Sequence, residues 1–217
     1  MKKQYILFDL DGTLTDSQEG IMNSIEHGLA CYGIRVEDRS SLRPFLGPPL
    51  IDSVMKYYGF DREKAAEFVV KYREYFSTRG LFENRVYPGV EELLKTLKEA
   101  GYTLMLATSK PDGFSRQILE HFGLDHYFAF IGGATMDEKR THKGDVIRYV
   151  LESNGLTDRL EEVMMVGDRE NDVLGAKENG IEVIGVLYGY GDREELQSAG
   201  ADHIVETVED IAALLSW

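Results

Sequence analysis

Tyr5-Ile6-Leu7-Phe8-Asp9-Leu10-Asp11-Gly12-Thr13-Leu14-Thr15-Asp16 is the stretch on which the reading of this chain turns. It starts as a short apolar run with β-branched and aromatic members, long enough for one buried strand. Two aspartates one residue apart then interrupt it, followed by Gly12-Thr13. A strand buried on both faces has no room for unpaired carboxylates, so Asp9 and Asp11 belong at its C-terminal end. That end is where open α/β sheets bind ligands. Carboxylates this close raise one another's pKa unless a cation lies between them. The pair therefore reads as a divalent-metal site with one aspartate free for chemistry. Taken alone, the stretch also reads as a turn rich in Asp and Gly.

Size and composition narrow the choice. The chain has 217 residues, 43% of them apolar, enough for one large domain or a core with a small insert. The net charge of −14 argues against a nucleic-acid backbone or an anionic membrane surface as partner. A small phosphorylated metabolite remains compatible, because a metal and a lysine reverse the local sign. The single cysteine, Cys31, excludes an internal disulfide framework and is expected to be a small buried residue. The apolar run before Asp9 is too short for a signal peptide, so a soluble cytoplasmic protein is the expectation. Oligomeric state, monomer or homodimer, is left open.

From Asp16 to about residue 81 the pattern is helical. Ile21, Ser24, Ile25, Gly28 and Leu29 form one stripe, with Asp16 or Ser17 as cap. A proline-broken loop, Arg43-Pro44-Phe45-Leu46-Gly47-Pro48-Pro49, precedes a second stripe of Ile51, Val54, Met55 and Tyr58. A third helix is expected near 62–77. Beyond Val86, strands are expected at 103–107, 128–131, 163–166, 183–186 and 203–205, separated by helical segments. That alternation means right-handed βαβ crossovers and a parallel sheet. The expected architecture is an α/β, Rossmann-like core of residues 1–15 and 82–217, with 16–81 inserted as a helical cap.

In a parallel sheet the strand ends share one edge, so Asp9, Asp11, Thr108, Lys143, Asp168 and Asp172 can converge. Four carboxylates together repel without a cation, and all-oxygen ligation suits Mg²⁺. A hydroxyl and an ammonium beside that metal are what a transferring phosphoryl group needs. Taken singly, Thr108-Ser109 also reads as a helix cap, Lys143 as a surface lysine and Gly167-Asp168 as a turn.

Asp9-Leu10-Asp11-Gly12-Thr13, the Thr108 strand end, Lys143 and Gly167-Asp168 through Asp172 fall in the order of the four motifs of the haloacid dehalogenase superfamily. The chain resembles its phosphatase branch over essentially the whole length, and is similar to phosphoglycolate phosphatases and related small-molecule phosphatases. The helical insert resembles the family's C1 cap. The resemblance implies that Asp9 is the nucleophile and Asp11 the acid and base. It implies Mg²⁺ held by Asp9, the Asp11 main-chain carbonyl and Asp168, with Asp172 orienting metal-bound water or Lys143. Thr108, with Ser109 beside it, and Lys143 would bind phosphoryl oxygens. Many relatives carry proline after the lysine, where Gly144 stands here, so Lys139 and Lys110 are alternative candidates.

Asp11 favours phosphate chemistry, since the family's dehalogenases lack an acid there. A β-phosphoglucomutase-type mutase is the competing enzyme, although family mutases usually carry valine or isoleucine at the place of Thr13. A non-catalytic phospho-ligand module is the third reading. Arg43 and Gly47, in the proline-broken loop, read equally as contacts to the leaving group or as a structural turn. Tyr188-Gly189-Tyr190-Gly191 lacks the third glycine of a dinucleotide fingerprint and reads as a flexible loop near the active-site edge. His142 reads as a surface histidine, and Trp217 as an anchor for the last helix. The substrate itself is open among phosphoglycolate, a 5′-nucleotide, pyrophosphate and a sugar phosphate.

Overall fold

The structure is a computed structural model that describes residues 3–137 and 139–215. Trp217, expected to anchor the last helix, lies outside the described residues. The chain divides into two compact units, Met1–Thr15 with Val86–Trp217, and Asp16–Arg85.

The first unit is built on β1 (Tyr5–Phe8). Ile6, Leu7 and Phe8 are wholly buried, and each such side chain contributes about 1.5–3 kcal/mol through burial. The chain leaves through the short β2 (Thr15–Asp16). It then forms α1 (Gln18–Ala30), α2 (Leu50–Tyr58) and α3 (Arg62–Tyr75) before returning through β3 (Arg85–Val86). The remainder alternates as the sequence pattern predicts. The order is α4 (Val90–Glu99), β4 (Thr103–Pro111), α5 (Asp112–His121), β5 (Phe128–Ala134) and α6 (Lys143–Ser153). It continues with β6 (Val163–Gly167), α7 (Glu170–Glu178), β7 (Glu182–Val186), α8 (Arg193–Ala199), β8 (His203–Val205) and α9 (Val208–Leu215).

The sheet order is β5-β4-β1-β6-β7-β8, parallel throughout. From β1 the chain winds outward to β4 and β5 on one side and to β6, β7 and β8 on the other. β1 is thus the topological switch point, and the residues just past its end lie in the crevice where such sheets bind ligands. The first of them is still held to the sheet: the Asp9 N–H donates to Val166 O at 2.9 Å, one step beyond the strand.

Two boundaries differ from the sequence expectation. β4 continues to Pro111 instead of ending at Thr108, because β5 also runs on, to Ala134, and Pro111 pairs with Ala134 across a register shift. A Cβ at Gly133 would fall 2.5 Å from Lys110 O, so glycine lets β5 pass close to the end of β4. The helical unit ends at Arg85 rather than 81. Glu83 is tied into it by Asn23 Nδ2 at 2.8 Å and Tyr75 Oη at 2.9 Å, and Arg85 by Asp16 at 2.6 Å.

Within that unit, α1 buries Ile21, Ser24, Ile25, Gly28 and Leu29, the stripe expected at three- and four-residue spacing. α3 buries Ala65, Phe68, Val69 and Tyr72, capped by Asp61, whose side chain accepts from Lys64 N at 2.9 Å. On α2 only Val54 of the expected stripe is fully buried. Cys31 corrects an expectation: it is exposed. α1 stops at Ala30, so Cys31 falls past the stripe and its Sγ donates to His27 O at 3.4 Å.

Candidate active site

The turn after β1 brings Asp9 and Asp11 to the sheet's C-terminal edge. Thr13, Leu14 and Thr15 N–H groups all donate to Leu10 O, folding the chain sharply back. Gly12 makes this possible twice over. Its φ of 85° is the left-handed region, and a Cβ there would overlap the Asp168 carboxylate. Asp168, at the end of β6, is fully buried beneath it.

Asp9, Asp168 and Asp172 each place a carboxylate oxygen within 4.8 Å of the others. Lys143, the first residue of α6, threads its ammonium among them. Its Nζ lies 2.7 Å from Asp9 Oδ1 and 2.8 Å from Asp172 Oδ1, and donates to Ala107 O at 3.1 Å. Of the three candidate lysines in the sequence, Lys143 is the one that joins Asp9. Lys139 is exposed and pairs with Asp137, and Lys110 pairs with Asp11. Gly144 follows Lys143 within the first turn of α6 and is buried.

The other oxygens are committed as well. Asp172 Oδ2 accepts from the N–H groups of Asp168 and Arg169, both at 3.1 Å, which ties the start of α7 to the end of β6. Asp168 Oδ1 accepts from Thr13 Oγ1 at 3.2 Å and Oδ2 from Tyr190 N at 2.7 Å. Thr108 is buried on β4, and its Oγ1 accepts from Lys110 N at 3.2 Å. Ser109 alternates away and is half-buried. The Asp11 carboxylate does not join the other three; both its oxygens face Lys110 Nζ, at 2.7 and 2.6 Å.

The Tyr188–Gly191 segment lies at the active-site edge, as the sequence suggests, but makes a contact there that the sequence does not name. Far from a loose loop, it closes over Asp168: Tyr190 N donates to that carboxylate, and Tyr188 Oη donates to Thr13 O at 3.0 Å. A Cβ at Gly189 would overlap Asp168 Cβ and Gly12 O, so glycine is required there for close approach. The Gly-x-Gly spacing was the available signal, though nothing local in it names Asp168 as the partner.

Arg43 and Gly47 lie in the helical unit. Arg43 lines a groove of about 690 Å³ within that unit, together with Asp16, Arg39 and Arg85. Gly47 follows the 3₁₀ segment Arg39–Phe45 with a φ of 106°. His142 is exposed, as an ordinary surface histidine is.

The charge count is uneven. Buried at this edge are the carboxylates Asp9, Asp11, Asp168 and Asp172 against the ammoniums Lys110 and Lys143, an excess of two negative charges. The consequence is a set of shifted proton affinities. Burial, then Asp172 and Asp11, push Asp9 up to about 6, against the pull of Lys143. Burial and the charges of Asp172 and Asp9 hold Asp168 well above the usual carboxylate range. Burial lowers the Lys143 ammonium, but Asp172 and Asp9 more than reverse this, so it stays charged. An all-oxygen donor set with two uncompensated charges fits a hard divalent cation.

Residues 6–186 match the family model described as haloacid dehalogenase-like hydrolase. The chain belongs to that family. It is 48% identical over 209 residues to a 5′-nucleotidase of Pseudomonas aeruginosa, covering 96% of this chain and 92% of that one. It superposes with a TM-score of 0.96 on the crystal structure of a predicted phosphatase from Clostridium acetobutylicum, at 50% identity over the full length of both chains. It is also 40% identical over 188 residues to the tyrosine-protein kinase PtkA of Mycobacterium tuberculosis, covering 87% of this chain but only 63% of that protein.

Proposed function

We propose that this hydrolase is a Mg²⁺-dependent phosphomonoesterase that cleaves a small phosphorylated metabolite through an aspartyl-phosphate on Asp9. The observation that carries the reading is the convergence of Asp9, Asp168 and Asp172 around Lys143 at the switch point of the sheet. Asp9 is the nucleophile, its carboxylate oxygen attacking phosphorus in line with the leaving oxygen. Lys143 orients that carboxylate and, with Thr108 and Ser109, binds the non-bridging phosphoryl oxygens. Asp11 gives a proton to the leaving oxygen and later takes one from the attacking water. Asp9, Asp168 and the Asp11 carbonyl would hold Mg²⁺, with Asp172 beside them. When bound, the ion supplies positive charge that offsets the phosphoryl group and the carboxylate excess. Tyr190 N and Thr13 Oγ1 keep Asp168 in place for it.

The helical unit Asp16–Arg85 is the proposed cap, with Arg43 and Gly47 contacting the leaving group. The nucleotidase relative makes a 5′-nucleotide the first substrate to try, with phosphoglycolate, pyrophosphate and a sugar phosphate beside it. The experiment is inorganic phosphate release from these four, with Mg²⁺ and with EDTA, using Asp9→Asn as control. Turnover that needs the metal and disappears in the variant is the expected result. An active Asp9→Asn protein, or folded wild type inert on every substrate, would overturn the reading.

A further inference from the structure

We propose that Lys110 is a positioning residue for catalysis: it holds the Asp11 carboxylate in the orientation that serves the leaving oxygen. The inference rests on the phosphatase reading and assigns a residue that reading does not use. Lys110 lies on the unexpected extension of β4, and strand alternation turns it to the same face as Thr108. It is only 7% exposed, which is rare for lysine without a dedicated partner. Its Nζ meets both Asp11 oxygens, at 2.7 and 2.6 Å. Its backbone is anchored on both sides: Lys110 N donates to Thr108 Oγ1, and Lys110 O accepts from Ser115 Oγ at 3.4 Å on α5.

Two buried ammoniums thus serve separate sets of carboxylates. Lys143 braces Asp9 and Asp172, whereas Lys110 braces Asp11. Asp11 lies just past β1, and the Lys110 ammonium, meeting both of its oxygens, fixes the direction in which the carboxylate faces. In the first half-reaction the Asp9 oxygen bonds to phosphorus as the bond to the leaving oxygen breaks. That oxygen keeps the electron pair and takes its proton from Asp11. In the second, water attacks phosphorus, Asp11 takes a water proton, and the Asp9–phosphorus bond breaks. Both transfers require Asp11 within hydrogen-bond reach of the moving proton.

The test uses leaving groups. For p-nitrophenyl phosphate the departing phenolate barely needs a proton, whereas an alkyl phosphate such as a 5′-nucleotide does. Lys110→Met should lower kcat/KM for the alkyl substrate at least about tenfold more than for the aryl one, within the range that general acids supply. With p-nitrophenyl phosphate the variant should show a burst of one phenolate per enzyme, because the second proton transfer is slowed too. Lys110→Arg should recover part of the alkyl rate, and this variant carries the test if Lys110→Met fails to fold. Adding Lys110→Met to Asp11→Asn should cost nothing further on the alkyl substrate. Equal losses on both substrates, with weaker binding of inorganic phosphate, would make Lys110 a phosphoryl contact and overturn the proposal. So would additive losses in the double variant. Wild type inactive on both substrates would instead remove the phosphatase reading, and the positioning role with it.

Discussion

The strand-end site and the groove of the helical unit both crowd acids against bases, but they differ in balance and in burial. The groove sets Asp16, Glu19 and Glu83 against Arg39, Arg43 and Arg85, three of each sign. Its ion pairs are wet: the Arg85 side chain is 80% exposed where it meets Asp16. The site sets four buried carboxylates against two buried ammoniums. Water screens the first arrangement and screens the second far less, so the same residue types leave one region neutral and indifferent and the other short of positive charge. An unbalanced, buried cluster is the one that asks for a cation.

That contrast can be broken at several points. The largest effect belongs to Asp9→Asn, which should reduce turnover by about 10⁴-fold or more while leaving the thermal melt intact, as phosphate release and calorimetry would record. Lys143→Met strands Asp9 and Asp172 without their ammonium. It should cost about 3–5 kcal/mol in urea unfolding, and a loss below about 1 kcal/mol would make Lys143 a bystander.

Titration offers a sharper test of the charge excess. The native Asp9 group titrates near 6, above the ordinary 3.8, so without metal the folded protein holds a proton there that the unfolded chain has lost. Stability from this group is therefore lost as pH rises from about 4 to 6, and a cation relieves that loss only above this window. Saturating Mg²⁺ should raise Tm by about 5–10 °C at pH 7.5 and by less than half of that at pH 5. An equal rise at both values would argue against carboxylate ligands.

Gly189→Ala tests the clamp on Asp168. Overpacking should cost about 1–3 kcal/mol, and Mg²⁺ affinity by calorimetric titration should fall about tenfold. Arg85→Ala, in the groove, should change stability by no more than about 1 kcal/mol, and less in high salt. If Arg85 mattered as much as Lys143, burial would not be what separates the two regions.

The core was legible in the sequence because its signals are local. Four-residue apolar runs such as Val163–Val166, and the stripe of α1, answer to strand and helix periods that need no partner to be recognised. Asp9, Asp168 and Lys143 were legible for the same reason, each following a buried strand or opening a helix. What stayed hidden was long-range. Nothing around Lys110 names Asp11 as its partner 99 residues away. Nothing around Gly189 names Asp168. The extension of β4 depended on how far β5 would accompany it, and Cys31 on where α1 stopped by a single residue.

The central place of β1 has a consequence for how the chain is made. Both edges of this strand are satisfied only by β4 and β6, so β1, made before either partner, waits for the Val163–Val166 segment before its hydrogen bonds are complete. Until then a wholly apolar segment has an open edge, the condition under which nascent chains stick to one another. Contacts this distant in sequence also slow folding. Chains truncated before Val163 should aggregate, and chaperone dependence during synthesis should end only once β6 has emerged.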